Sequence, residues 1–95
     1  MSDRPHLRVI AYDIADNRRR RKIAETLEGQ CVRVQESLFE ARLTAGKAAR
    51  LMADLRKLAG PGDSLRLYTV PDSALPACTA EGGVAIADAA RYWLL

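Results

Sequence analysis

The segment from Leu7 to Ile14, LRVIAYDI, is apolar in both of its alternating phases: Leu7, Val9 and Ala11 share one, and Ile10, Tyr12 and Ile14 share the other. A strand with one wet face alternates apolar with polar residues, whereas a strand covered on both sides is apolar in both phases. The segment therefore reads as a central strand with a layer on each side. A chain of 95 residues has little material from which to build two layers. This length supports one domain with a thin core and one shallow functional surface, and it excludes a two-domain enzyme.

After this strand, Asp16 and Asn17 offer helix caps, and Ile23, Ala24 and Leu27 form an apolar stripe that Gly29 closes. This predicts a first helix of about three turns. From Cys31 to Leu43, CVRVQESLFEARL, apolar residues alternate with polar ones, but the phase changes between Val32 and Val34 on one side and Phe39, Ala41 and Leu43 on the other. A single strand would turn Glu36 onto the apolar face, so the pattern predicts two short strands with a bulge or tight reversal near Gln35 to Ser37. Thr44 then caps a second helix, with Ala48, Leu51, Met52, Leu55 and Leu58 at helical spacing and Gly60, Pro61 and Gly62 after it. Met52 is expected in the core. Ser64 to Val70, SLRLYTV, is a further strand that Pro71 ends.

The order strand, helix, strand, strand, helix, strand predicts an α+β fold: a ferredoxin-like βαββαβ sandwich with both helices on one face of an antiparallel sheet. Two helices cover one side only, so a second copy packed about a two-fold axis is expected on the other, giving a homodimer. Pro71 to Gly83 reads as a loop. The tail VAIADAARYWLL reads as an extra C-terminal strand that pairs with a sheet edge, its own or a partner's. The single domain 1–95 thus divides into a core, 7–70, and a loop with a docking strand, 71–95.

The net charge of +3 is unevenly placed. Nearly all the bases precede residue 71, whereas the tail carries Arg91 against Asp72, Glu81 and Asp88. Arg18, Arg19, Arg20, Arg21 and Lys22 are consecutive, a density that suits a polyphosphate partner and equally describes a solvated helix face. They occupy the start of the first helix, where the dipole favours acids; a local misfit of that kind points to a functional role. No apolar run approaches the roughly 18 residues of a membrane span, and the N-terminus lacks a secretory pattern, so a cytoplasmic protein with no membrane partner is expected. Cys31 and Cys78 have neither metal-ligand spacing nor a disulfide-forming setting and are read as packing residues.

Few residues can carry chemistry. His6 precedes the first strand and has no spacing relation to Ser37 or to either cysteine, so nucleophilic triads fail. No glycine-rich phosphate loop is present. Asp13, at the end of the first strand with Asp16 three residues on and the bases behind it, could bind Mg²⁺, which takes one or two carboxylates and completes its shell with water and phosphate. The same spacing fits a turn residue followed by a helix cap. Tyr12 and Phe39 could stack on bases or pack in the core. Arg33 alternates with Val32 and Val34 and so points off their face, toward solvent, a salt bridge or a phosphate. A single-strand RNA reader with this topology would need an aromatic-rich central strand, which is not seen.

VIAYDIAD, RRRRKIAETLEG, VRVQESLFEARLT and SLRLY together resemble the CRISPR-associated Cas2 family over about residues 7 to 70. The linked signatures are YDI with an acid two on, RxK opening the first helix, and VQxSxFE before a capping Thr. The resemblance implies a ferredoxin-like homodimer that binds duplex DNA and bridges Cas1 integrase dimers during spacer acquisition. It also implies a Mg²⁺- or Mn²⁺-dependent endonuclease activity on RNA or DNA, described for some members. By the same resemblance Asp13 is the metal and catalytic residue, and Arg18 to Lys22 with Arg33 bind nucleic acid. Tyr12, Asp16 and Phe39 support the site. Lys22 stands where some members have Arg, and Glu36 where many have an aromatic or a base. A toxin-like endoribonuclease of the same fold is the alternative.

Overall fold

The computed structural model describes residues 4–86. The elements are β1 (His6–Asp13), α1 (Asn17–Glu28), β2 (Val32–Gln35), β3 (Leu38–Leu43), α2 (Ala45–Leu58) and β4 (Ser64–Val70). All strand pairings are antiparallel, in the spatial order β2-β3-β1-β4. β1 is therefore an inner strand, as its two apolar phases require. This is the ferredoxin-like α+β arrangement expected from the sequence.

Register explains the core. Ile10 lies opposite Phe39 on β3 and Leu67 on β4, and Tyr12 lies opposite Leu65. With Ala41 and Leu43 they form the floor on which Ile23, Ala24 and Leu27 of α1 and Ala48, Leu51 and Leu55 of α2 are buried, with Met52 packed at the margin. Arg8 shares this phase and is buried; its Nε donates to the Leu43 carbonyl at 3.0 Å and its Nη1 to Thr69 Oγ1 at 2.8 Å. A buried guanidinium is tolerated here because polar acceptors meet it at the end of the sheet.

The predicted caps are in place. The Asp16 carboxylate accepts from the Arg19 amide at 2.8 Å, and the Thr44 hydroxyl from the Lys47 amide at 3.2 Å. The phase change in the third segment is resolved by a register shift between Arg33 and Gln35, followed by a turn at Glu36 and Ser37. Beyond α2, Gly62 turns the chain into β4 with φ +83°, a conformation in which a Cβ would be strained.

The second face of the sheet is met in part by the same chain. Asp72–Ala77 forms a short 3-10 helix where a plain loop was expected. Pro71 stops the β4 ladder, and Arg42 on that face anchors the returning chain by donating to Asp72 Oδ1 at 2.9 Å and to the Pro5 carbonyl at 3.1 Å. Residues 78–86 continue along a groove of about 340 Å³ over Leu7, Val9, Val34, Leu38 and Glu40. Among the described residues the sheet has four strands. The expected C-terminal strand falls mostly on residues 87–95, outside the described part.

Candidate nucleic-acid interface

Asp13 ends β1 opposite Ser64 of β4 and is exposed, and its carboxylate accepts no hydrogen bond among the described residues. It does not play the turn role that its spacing also allowed. Its carboxylate opens into a cleft of about 740 Å³ between α1 and the β2–β3 turn, lined among others by Arg20, Arg21, Glu25, Arg33 and Glu36. Asp16 is spent as the α1 cap instead. Among the described residues no three His, Cys, Asp or Glu gather as a metal cage. Asp13 is thus not part of a ready-made cage, and an ion held by it would need water, a phosphate or a second copy to complete its shell.

The five consecutive bases have three different fates. Arg19 leaves the run to pair with Asp63 beyond α2, Nε to Oδ2 at 2.9 Å, and Asp63 also accepts from the Gly60 amide at 2.7 Å. The hydrogen bond to Asp63 holds the Arg19 guanidinium above its usual range, and the same bond, with the Gly60 N–H, holds the Asp63 carboxyl below the usual carboxylate range. Arg20 folds back over the β1–α1 loop, its Nη1 donating to the carbonyls of Ile14 at 2.8 Å and Ala15 at 3.3 Å and its Nη2 to Asn17 Oδ1. Arg18, Arg21 and Lys22 are exposed and carry no side-chain partner among the described residues. The misfit with the helix dipole is thus partly relieved by an acid and by carbonyls from outside the helix.

Arg33 points off the Val32 and Val34 face, as expected, is exposed, and lies within salt-bridge reach of Glu28, Nη1 to Oε1 at 3.9 Å. It lies on the helix-side face, its guanidinium 5.3 Å from the centroid of the Phe39 ring. Its Nε and Nη2 donate to the Glu36 carbonyl at 3.1 and 2.8 Å, and its Nη2 also to the Tyr12 hydroxyl at 3.4 Å. The physical reason is the bulge, which brings Arg33 opposite Phe39 in the β2–β3 register. Phe39 is wholly buried and Tyr12 nearly so, with ring centroids 6.2 Å apart and planes at 26°. Both aromatics are core residues with no face left for a base.

Sequence reasoning missed Asp63, whose only local sign is its place closing the Gly60-Pro61-Gly62 turn. It also missed Glu25 and Glu28 as the acidic side of the cleft. His6 lies at the opposite end of β1 from Asp13. Cys31 packs against the core, where burial pushes its thiol up to about 11, and Cys78 donates its S–H to the Ala74 carbonyl. No helix among the described residues is long and apolar enough to cross a membrane.

A family model described as CRISPR associated protein Cas2 matches residues 6–75. A CRISPR-associated endoribonuclease Cas2 of Mycobacterium tuberculosis is 47% identical over 62 residues, which cover 65% of this chain and 55% of that protein. The match thus spans little more than half of that relative's length. The structure of a hypothetical protein, TT1823, from Thermus thermophilus superposes with a TM-score of 0.70 at 36% identity, covering 87% of this chain and 96% of that one. A chain of a partial Cas6-RT-Cas1–Cas2 complex shares the fold with a TM-score of 0.71 at 21% identity, covering 87% of this chain and 98% of that chain.

Proposed function

Because the chain belongs to the Cas2 family, we propose that it is a cytoplasmic CRISPR adaptation subunit: a homodimer that holds duplex DNA for a Cas1 integrase during spacer acquisition. The observation that carries this reading is the set of exposed cations Arg18, Arg21 and Lys22 on α1, which have no side-chain partner among the described residues and of which Arg21 lines the Asp13 cleft. Cations without intramolecular partners are the ones that can release counterions from a phosphate backbone, and they do so whatever the base sequence. Family membership favours this reading over a toxin-like endoribonuclease.

The Asp13 carboxylate favours a second reading, cleavage of RNA or DNA, in line with the endoribonuclease name of the mycobacterial relative. Asp13 fits as one ligand of Mg²⁺ or Mn²⁺, with a phosphodiester oxygen, waters and the Asp13 of a second copy as the others; an ion bound there would supply charge neutralisation at the phosphate. Arg21 at the cleft rim would hold the same phosphate from the other side.

Asp13→Asn separates the two readings, since it keeps size and removes charge. Co-purification with the integrase, duplex binding and spacer acquisition at wild-type level in this variant are the result expected for a DNA-holding subunit. Acquisition lost together with metal-dependent cleavage, in a variant that still folds and binds, would make Asp13 catalytic and overturn the purely positioning role.

A further inference from the structure

We propose that Arg20 and Arg33 are positioning residues that hold the two walls of the Asp13 cleft, and that phosphate contact is left to Arg18, Arg21 and Lys22. The inference rests on the nucleic-acid reading above and divides its basic residues by what each guanidinium already holds. Arg20 reaches from α1 to the Ile14 and Ala15 carbonyls, the first acceptors after Asp13. Among the described residues no backbone donor outside the strands and helices serves those carbonyls, so the guanidinium fixes the loop that follows Asp13.

Arg33 does the same for the opposite wall. Its fork grips the Glu36 carbonyl in the β2–β3 turn, and the neighbouring Ser37 carbonyl accepts from the Tyr12 amide at 3.2 Å. The Tyr12 hydroxyl also points at the Glu36 carbonyl, at 3.5 Å, and Tyr12 is covalently next to Asp13. A physical chain therefore runs from the buried Phe39 ring through Arg33 and the turn to Tyr12 and Asp13. With its Nε–Nη2 edge on the Glu36 carbonyl and its plane over Phe39, the Arg33 guanidinium has that edge engaged by backbone rather than open to a bidentate phosphate. Both arginines still add positive potential to the cleft, but potential without contact falls off over about 10 Å at 0.1 M salt.

The test measures affinity for a duplex of arbitrary sequence against salt, together with amide hydrogen exchange. Arg21→Ala and Lys22→Ala should each lower the slope of log K against log salt by about 0.9. Arg20→Gln and Arg33→Gln should leave the slope unchanged. Arg33→Gln should instead speed exchange of the Tyr12 amide by about tenfold or more, and Arg20→Gln that of the β1–α1 loop. Arg33→Lys keeps the charge but not the fork, so it should exchange like Arg33→Gln, and it serves where the glutamine variant does not fold. A slope lowered by about 0.9 in Arg20→Gln or Arg33→Gln overturns the proposal, as does unchanged exchange. A wild-type protein with no salt-dependent binding would remove the DNA-holding function, while the exchange results would still decide the positioning role.

Discussion

Arg19 Nε lies 2.9 Å from Asp63 Oδ2, joining the first turn of α1 to the turn that follows α2. Asp63 is nearly wholly buried at its side chain and receives the Gly60 amide as well, so its charge is matched from two directions. The pair fixes the end of the molecule where the basic run begins, and it removes one of five cations from the surface offered to a ligand.

Asp63→Asn should lower thermal stability at neutral pH and flatten its dependence on acid. The Asp63 carboxyl is held below its ordinary range. Its contribution is therefore full above the unfolded value of about 3.9 and is lost as pH falls through the depressed folded value. Melting curves collected from neutral to strongly acid pH check this. Parallel curves for variant and wild type would show that the pair adds nothing.

Gly60→Ala should mimic that loss. A Cβ at residue 60 would sit 2.7 Å from Arg19 Cζ and 2.8 Å from its Nε, so the guanidinium must shift from its present place against Asp63. The effect should be non-additive with Asp63→Asn, because both remove one interaction. A double-mutant cycle on melting temperature measures it; full additivity would mean that Arg19 finds Asp63 by another route.

Phe39→Ala should cost about 3–5 kcal/mol in urea denaturation, the range for deleting a buried aromatic. The ring is wholly buried beneath Arg33 and beside Tyr12. Phe39→Leu should keep the fold and leave the salt slope of duplex binding untouched. Full stability combined with lost binding would place the ring against a base instead.

Glu40→Gln should raise the melting temperature at neutral pH. Burial in the groove under residues 78–86 pushes the Glu40 carboxyl above its ordinary range. The ionised form therefore burdens the folded state above the folded value, and the burden disappears as pH falls toward the unfolded value of about 4.3. The gain should vanish in the same interval. A lower melting temperature would reveal a cationic partner for Glu40 in the assembled protein.

The fold was largely legible because its signals are local. Two apolar phases marked β1 as an inner strand, Asp16 and Thr44 marked both helix starts, and the broken phase at Gln35 to Ser37 marked the turn. Asp13 was marked by its place at the strand end before the cap and the bases, but that spacing alone left it open between a turn residue and a metal ligand, and only the family resemblance favoured the second. The fates of the bases were not legible, because helical spacing gives a face but not a partner. Arg19 finds its acid 44 residues away, and Arg20 and Arg33 find backbone carbonyls, which no residue type announces. The fold-back at Asp72 was hidden in the same way, since it depends on Arg42 from a distant strand.

The two borders of the sheet are not equivalent. β2 has four residues and a bulge, so it offers a short and twisted template that a foreign strand fits badly, whereas β4 runs seven residues without a register break. Among the described residues nothing pairs with the outer side of β4. Of the two borders, β4 is the one whose length and regularity suit an added strand. The bulge beside Arg33 thus gives the sheet one blunt border as well as shaping the cleft.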